Sequence, residues 1–256
     1  MTSDWYEIQE GDLSGFELLR AILIADAPTL GSFLLEGLSD PAYLTSVLQK
    51  QGHDSLVEYI AKRRISSKLS IRVADFGEIT AGRLIEAEEG LSRPIEKLRY
   101  KFNHDWSPHL TDVFAVRLDA DEISAFAYCE VKAGTTPPAS GVAADGYRAL
   151  VKAWHEKVPE ILHFTSERLW DANRQDEYER LGRAISSAGT MPQLLRLVLV
   201  FDELHWSDDE FDALKEALEE EATPTGTFRC YLVRRFELRP LIEAAYAQMA
   251  VQAQAR

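Results

Sequence analysis

Residues 111–132 read TDVFAVRLDADEISAFAYCEVK. Two runs rich in β-branched and aromatic residues, 112–118 and 123–132, flank the polar cluster Asp119-Ala120-Asp121-Glu122. That pattern is the signature of a β-hairpin. With the turn centred on Asp121, residue 112 falls opposite residue 130, so Asp112 faces Glu130. Like charges set directly opposite each other in a sheet repel unless a cation bridges them. The two-residue period of a strand puts Lys132 on the face of Glu130 and turns Val131 to the other. Two carboxylates and a lysine therefore meet at one end of one hairpin, on no assumption beyond its register.

Such a cluster has a chemical use. Magnesium takes oxygen ligands, usually one or two carboxylates with water completing the shell, and manganese accepts the same donors. A metal held there lowers the pKa of a bound water and offsets charge building on a phosphate. A neighbouring lysine stabilises that charge or orients the attacking oxygen. Glu78, at the head of a helix expected over 78–89, supplies a third carboxylate or positions a water. Glu-x-Lys is a weak motif by itself, yet of nine lysines only Lys132 has an acid two positions earlier. The same residues would also serve as a plain cross-strand salt bridge at an exposed hairpin end.

Working outward, Gly90 marks the end of the 78–89 helix, 69–76 reads as a short strand, and a further strand is expected over 95–102. A helix from about 143 to 158 shows Tyr147, Leu150, Val151, Trp154 and Val158 at helical spacing. The run 194–204 has the Leu/Val content of a strand buried on both faces. Ser207 to Glu210 resembles a capping box opening an acidic helix to about Glu221, with Phe211, Leu214 and Leu218 inward. A strand over 227–234 and a last helix with Pro240 in its first turn follow. Residues 16–25 and 42–63 read as helices. The expected architecture is an α/β domain over 67–256, a mixed sheet flanked by helices, preceded by an N-terminal helical extension over 1–66.

Nearly half the residues are hydrophobic, which implies a packed core. The acidic amino terminus (Asp4, Glu7, Glu10, Asp12) is unlike a secretion signal. No apolar run approaches the ~20 residues of a membrane helix. Cys129 and Cys230 lie in apolar strand-like runs and read as buried thiols of a cytoplasmic protein. A net charge of −14 argues against a protein that coats nucleic acid unaided. The charge is uneven, however. Lys62, Arg63, Arg64, Lys68 and Arg72 form a basic segment without acids, and Arg93, Lys97, Arg99 and Lys101 follow, whereas 202–221 holds ten acids and one lysine. Lys62, Arg63, Arg64, Lys68 and Lys101 are the candidate contacts to a DNA backbone. His104, Asp105 and His109 match no common zinc spacing. No GxGxxG, P-loop or GxSxG is present.

The set Gly77-Glu78, then Lys97-Leu98-Arg99-Tyr100-Lys101, then Asp112 and Glu130-Val131-Lys132 resembles the PD-(D/E)xK nuclease superfamily. More narrowly, 77–132 is similar to the HamA family, the nuclease subunits of bacterial Hachiman antiphage systems, which work beside a helicase, HamB. The resemblance spans about 60–160. It implies a restriction-endonuclease-like core of helix, three strands, helix and strand. It also implies metal binding by Asp112 and Glu130, catalysis by Lys132 and support from Glu78. Thr111 stands where the motif name has Pro. The expected function is a Mg²⁺- or Mn²⁺-dependent deoxyribonuclease acting with a helicase. The alternative is a non-catalytic adaptor of the same fold that binds a helicase or DNA.

Overall fold

The computed structural model describes residues 4–9, 16–40, 63–101, 103–105, 110–221 and 227–254. Six strands form one mixed sheet: β1 (Tyr6–Gln9), β2 (Glu17–Leu23), β3 (Val113–Asp119), β4 (Glu122–Gly134), β5 (Gln193–Asp202) and β6 (Phe228–Arg235). Their order is β1-β2-β6-β5-β4-β3; the two outer pairs are antiparallel and the inner pairs parallel. The helices are α1 (Ala27–Leu38), α2 (Leu69–Glu89), α3 (Val142–Asp171), α4 (Gln175–Ile185), α5 (Glu210–Glu220) and α6 (Leu238–Gln254). On one face, Leu35 of α1, Phe76 of α2 and Ile242 of α6 are buried with Val198, Val200 and Val233 of the sheet. On the other, Leu150 of α3, Leu181 of α4 and Phe211 of α5 are buried with Phe126, Leu197 and Leu199. The chain is thus an α/β fold with helices on both sides of its sheet, and β5, as its Leu/Val run implies, is buried along its whole length.

Several elements differ from the sequence reading. The expected helix over 16–25 is strand β2, where Leu18 pairs with Cys230 of β6. Its apolar residues fit either period, and a partner 212 positions away decides between them. With β1 and α1, this stretch belongs to the sheet and its cover rather than to a helical extension. Of the helix read over 42–63, all but residue 63 lies outside the described residues.

Residues 69–76 are helical, because α2 begins at Leu69 and runs through Gly77. Glycine inside a helix costs about 1 kcal/mol relative to alanine. Here it is required by proximity: a Cβ at 77 would lie 2.7 Å from Ala133 Cβ and 3.2 Å from Val131 Cγ1, so α2 seats closely on β4 only without one. The strand expected over 95–102 is a 3-10 turn, Lys97–Tyr100. Just before it, Ser92 forms a bridge to Val116, and Pro94 has no N–H to extend it.

α3 continues through Pro159 to Asp171, held by apolar residues buried on both sides of the proline, among them Leu150, Val151, Ile161 and Leu162. The Ser207 capping box does not form. α5 starts at Glu210, and the Glu210 carboxylate instead accepts the N–H groups of Gly141 (3.1 Å) and Ala143 (3.4 Å) at the head of α3. Phe211 and Leu214 of α5 point inward and Asp212, Glu216, Glu219 and Glu220 outward, as its periodicity predicts.

Candidate active site

Ala120 and Asp121 take left-handed backbone (φ 47° and 67°) and make a tight turn between β3 and β4. A bulge follows: Arg117 pairs with Ala125 but Leu118 with Ile123, leaving Ser124 as the extra residue. The turn is therefore centred half a residue before Asp121, and the bulge restores the register expected at the far end. Val113 pairs with Cys129, and continuing that register sets Asp112 against Glu130. Thr111 helps to lock the end in place. Its hydroxyl (2.9 Å) and the Asp112 N–H (3.1 Å) both donate to the Cys129 carbonyl, while the Val131 N–H donates to Asp112 Oδ2 at 2.8 Å.

On β4, Lys132 Nζ donates to Glu130 Oε1 at 2.8 Å. The stem of Lys132 lies against α3, where a Cβ on Gly146 would come within 3.2 Å of its Cγ. Glu78 arrives from α2, one residue after the close contact made by Gly77. Between them stands a residue to which the sequence reading gives no role. Lys97 Nζ is 2.9 Å from Glu78 Oε2, at an angle short of a hydrogen bond, and 3.6 Å from Asp112 Oδ1. Its sequence context, KLRYK, signals only charge; a 3-10 turn that turns Lys97 inward has no recognisable period.

The electrostatics follow from burial. Desolvation pushes the Glu78 carboxyl up to about 8, against the pull of Lys97, so Glu78 holds a proton near neutrality. Burial and the neighbouring Asp112 charge raise Glu130 as well. Burial alone would lower the Lys97 ammonium, but Glu78, Asp112 and Glu130 outweigh it and keep the group charged. Glu78, Lys97 and Asp112 line a cavity of about 30 Å³ together with Ile161, Phe164 and Thr165 of α3, room for about one water. Glu130 and Lys132 pair beside it, linked to it through Asp112.

Among the described residues, no three His, Cys, Asp or Glu side chains converge closely enough to hold a metal ion on their own. Asp112 and Glu130 nonetheless offer hard carboxylate oxygens across one strand pair, and magnesium commonly takes no more than two. An internal ammonium among these carboxylates shows that the space attracts positive charge.

The candidate DNA contacts fare differently. Lys101 is buried 2.5 Å from Asp75, so its ammonium has no path to a phosphate and that expectation is corrected. Its burial depends on Asp75, a partner 26 positions earlier. Arg63 and Lys68 are exposed, Lys68 pairing with Asp105 at 3.1 Å. Arg64 is half-buried and donates to the Arg99 carbonyl at 2.8 Å. Lys62 and His109 lie outside the described residues. The two thiols are free and buried, as expected, and no helix among the described residues is long and apolar enough to cross a membrane.

No curated protein matches the sequence significantly. The HamA family model, in contrast, matches residues 14–248, nearly the whole chain. That span takes in β2 and α1 at one end and most of α6 at the other, well beyond the hairpin and its motif. The chain belongs to the HamA family, and so to a component of Hachiman antiphage defence.

Proposed function

We propose that this chain is a metal-dependent DNA nuclease, the effector that works beside a helicase in its defence system. The observation that carries this reading is the meeting of Asp112, Glu130 and Lys132 at one hairpin end, with Glu78 and Lys97 behind them. Asp112 and Glu130 would hold Mg²⁺ or Mn²⁺. When bound, the ion would supply Lewis-acid activation of water and neutralise charge on the scissile phosphate.

The protein's own groups have separate duties. The Val131 N–H fixes one Asp112 oxygen. Lys132, held by Glu130 and partly exposed, points a cation to where charge develops on a phosphodiester. Glu78, protonated near neutrality, is placed to donate a proton or a hydrogen bond to an oxygen in the cluster.

The test is cleavage of labelled single- and double-stranded DNA by the chain with its helicase, with Mg²⁺ and with excess chelator. Cleavage should stop with chelator, and in both Glu130→Ala and Lys132→Ala, while circular dichroism stays native. A general-base or charge-stabilising residue is worth about 10²–10⁴-fold in rate, so wild-type rates in Lys132→Ala would sink the assignment.

A further inference from the structure

The 3-10 turn that sends Lys97 to the candidate active site sends Arg99 and Tyr100 to a second cavity, of about 460 Å³. Four arginines line it, Arg64, Arg99, Arg168 and Arg174; two carboxylates, Asp40 and Asp171, lie among them. Arg64 donates to the Arg99 carbonyl, and Arg99 Nε donates to the Glu36 carbonyl, each at 2.8 Å. Those bonds fix the two guanidinium planes, with the Asp40 carboxylate beside them. Arg168 is spread over the rings of Tyr100 (5.6 Å) and Phe164 (5.5 Å) and pairs with Asp171 at 2.9 Å. Arg174 is held by Glu177 and the Pro94 carbonyl.

An acidic protein has thus placed four rigidly held arginines around one opening, beside an aromatic ring and two residues along the chain from Lys97. Planar guanidinium forks suit phosphate oxygens, aromatic walls suit bases, and the volume is that of a small-ligand pocket. We propose that this cavity binds the phosphates of a nucleotide unit, either in a DNA strand on its way to Asp112 and Glu130 or in a free nucleotide polyphosphate. The strand arm rests on the nuclease reading; the anion-binding arm does not.

The experiment uses the full chain in chelator, so that nothing is cut, and follows the anisotropy of a 5′-labelled twelve-residue oligo-dT across salt concentrations. Inorganic triphosphate and polyglutamate serve as competitors. Binding by the wild type should fall about tenfold or more in the double variant Arg99→Gln/Arg168→Gln, with the salt slope flattened by about one for each phosphate no longer neutralised. Lysine at both positions should restore part of the affinity. Arg64→Gln, whose amide can still reach the Arg99 carbonyl, is the second variant should the double one fail to fold. Triphosphate competing as well as unlabelled oligo-dT would assign the cavity to free nucleotides, and oligo-dT competing alone would assign it to a strand.

The proposal is overturned if the wild type binds neither probe, if folded variants bind like the wild type, or if polyglutamate competes equally. Cleavage assayed in parallel separates the two readings. A cutting enzyme indifferent to these arginines loses only the cavity assignment. A chain that binds through them, yet does not cut with its helicase, loses only the nuclease assignment.

Discussion

Helix α2 carries two glutamates into the interior, Glu78 and Glu89, and the protein treats them in opposite ways. Glu89 is saturated. Arg196 clasps it with Nε (2.5 Å) and Nη2 (2.6 Å), and Tyr231 donates to it at 2.6 Å. Arg196 directs its remaining donors to the Leu195 and Thr227 carbonyls. Burial alone would raise the Glu89 carboxyl, but these partners hold it below the usual range. Glu78 is equally enclosed, yet it meets a misaligned lysine and two further carboxylates and titrates near 8. A buried carboxylate built for stability is given every hydrogen bond it can use, whereas one left short of partners with like charges nearby is the kind of group that suits the chemistry proposed for that end of the helix.

The strongest test of that contrast is to remove one partner at the saturated end. Arg196→Ala or Glu89→Ala strands a buried charge and should cost about 3–5 kcal/mol, or roughly 10 °C in melting temperature for a chain of this size. A loss under 1 kcal/mol in a thermal melt would show that Glu89 is no better anchored than Glu78.

At the other end, close packing of α2 on β4 adds to the ion pair of Asp75 with Lys101. Gly77→Ala drives a methyl into Ala133 and Val131 and should cost about 1–3 kcal/mol, as overpacked cores do. Because Glu78 is the next residue, the same change should also slow cleavage. Wild-type stability and rate together in this variant would mean that α2 can stand off from β4 without consequence.

The last effect concerns pH. A carboxyl raised by folding contributes stability below its unfolded pKa and loses it as pH climbs toward about 8. Glu89, lowered by folding, does the reverse: its contribution is full above the unfolded pKa and fails as pH falls through the folded one. Glu78→Gln should therefore raise the melting temperature at pH 8 and raise it by clearly less at pH 5. A gain that is equal at both pH values would place Glu78 in an ordinary aqueous setting.

How much of this is legible in the sequence depends on how far each signal reaches. The hairpin, its register and the meeting of Asp112, Glu130 and Lys132 are local and come from one stretch of 22 residues. So are the burial of β5 and the inward face of α5. Strand β2 escapes a local reading because its pairing depends on β6, and the run 69–76 because its apolar content is ambiguous without the sheet beneath it. Lys97 and Lys101 look alike in KLRYK. One enters the candidate site and the other disappears into Asp75, a difference made by which helix residue each meets. The bonding of Glu89 to Arg196 across 107 positions carries no local sign at all.

The pairing of β2 with β6 also governs how the molecule comes into being. α1 packs on α6 as β2 packs on β6, so the two ends of the chain form one block. Closing a loop that long is entropically slow, and sheets rich in such contacts fold late. A nascent chain lacking β6 would carry β5 as an open, largely apolar edge that other strands can pair with. The order of events is then set by topology. The β3–β4 hairpin and its carboxylates can form early, but the platform beneath them is finished only when strand β6 leaves the ribosome.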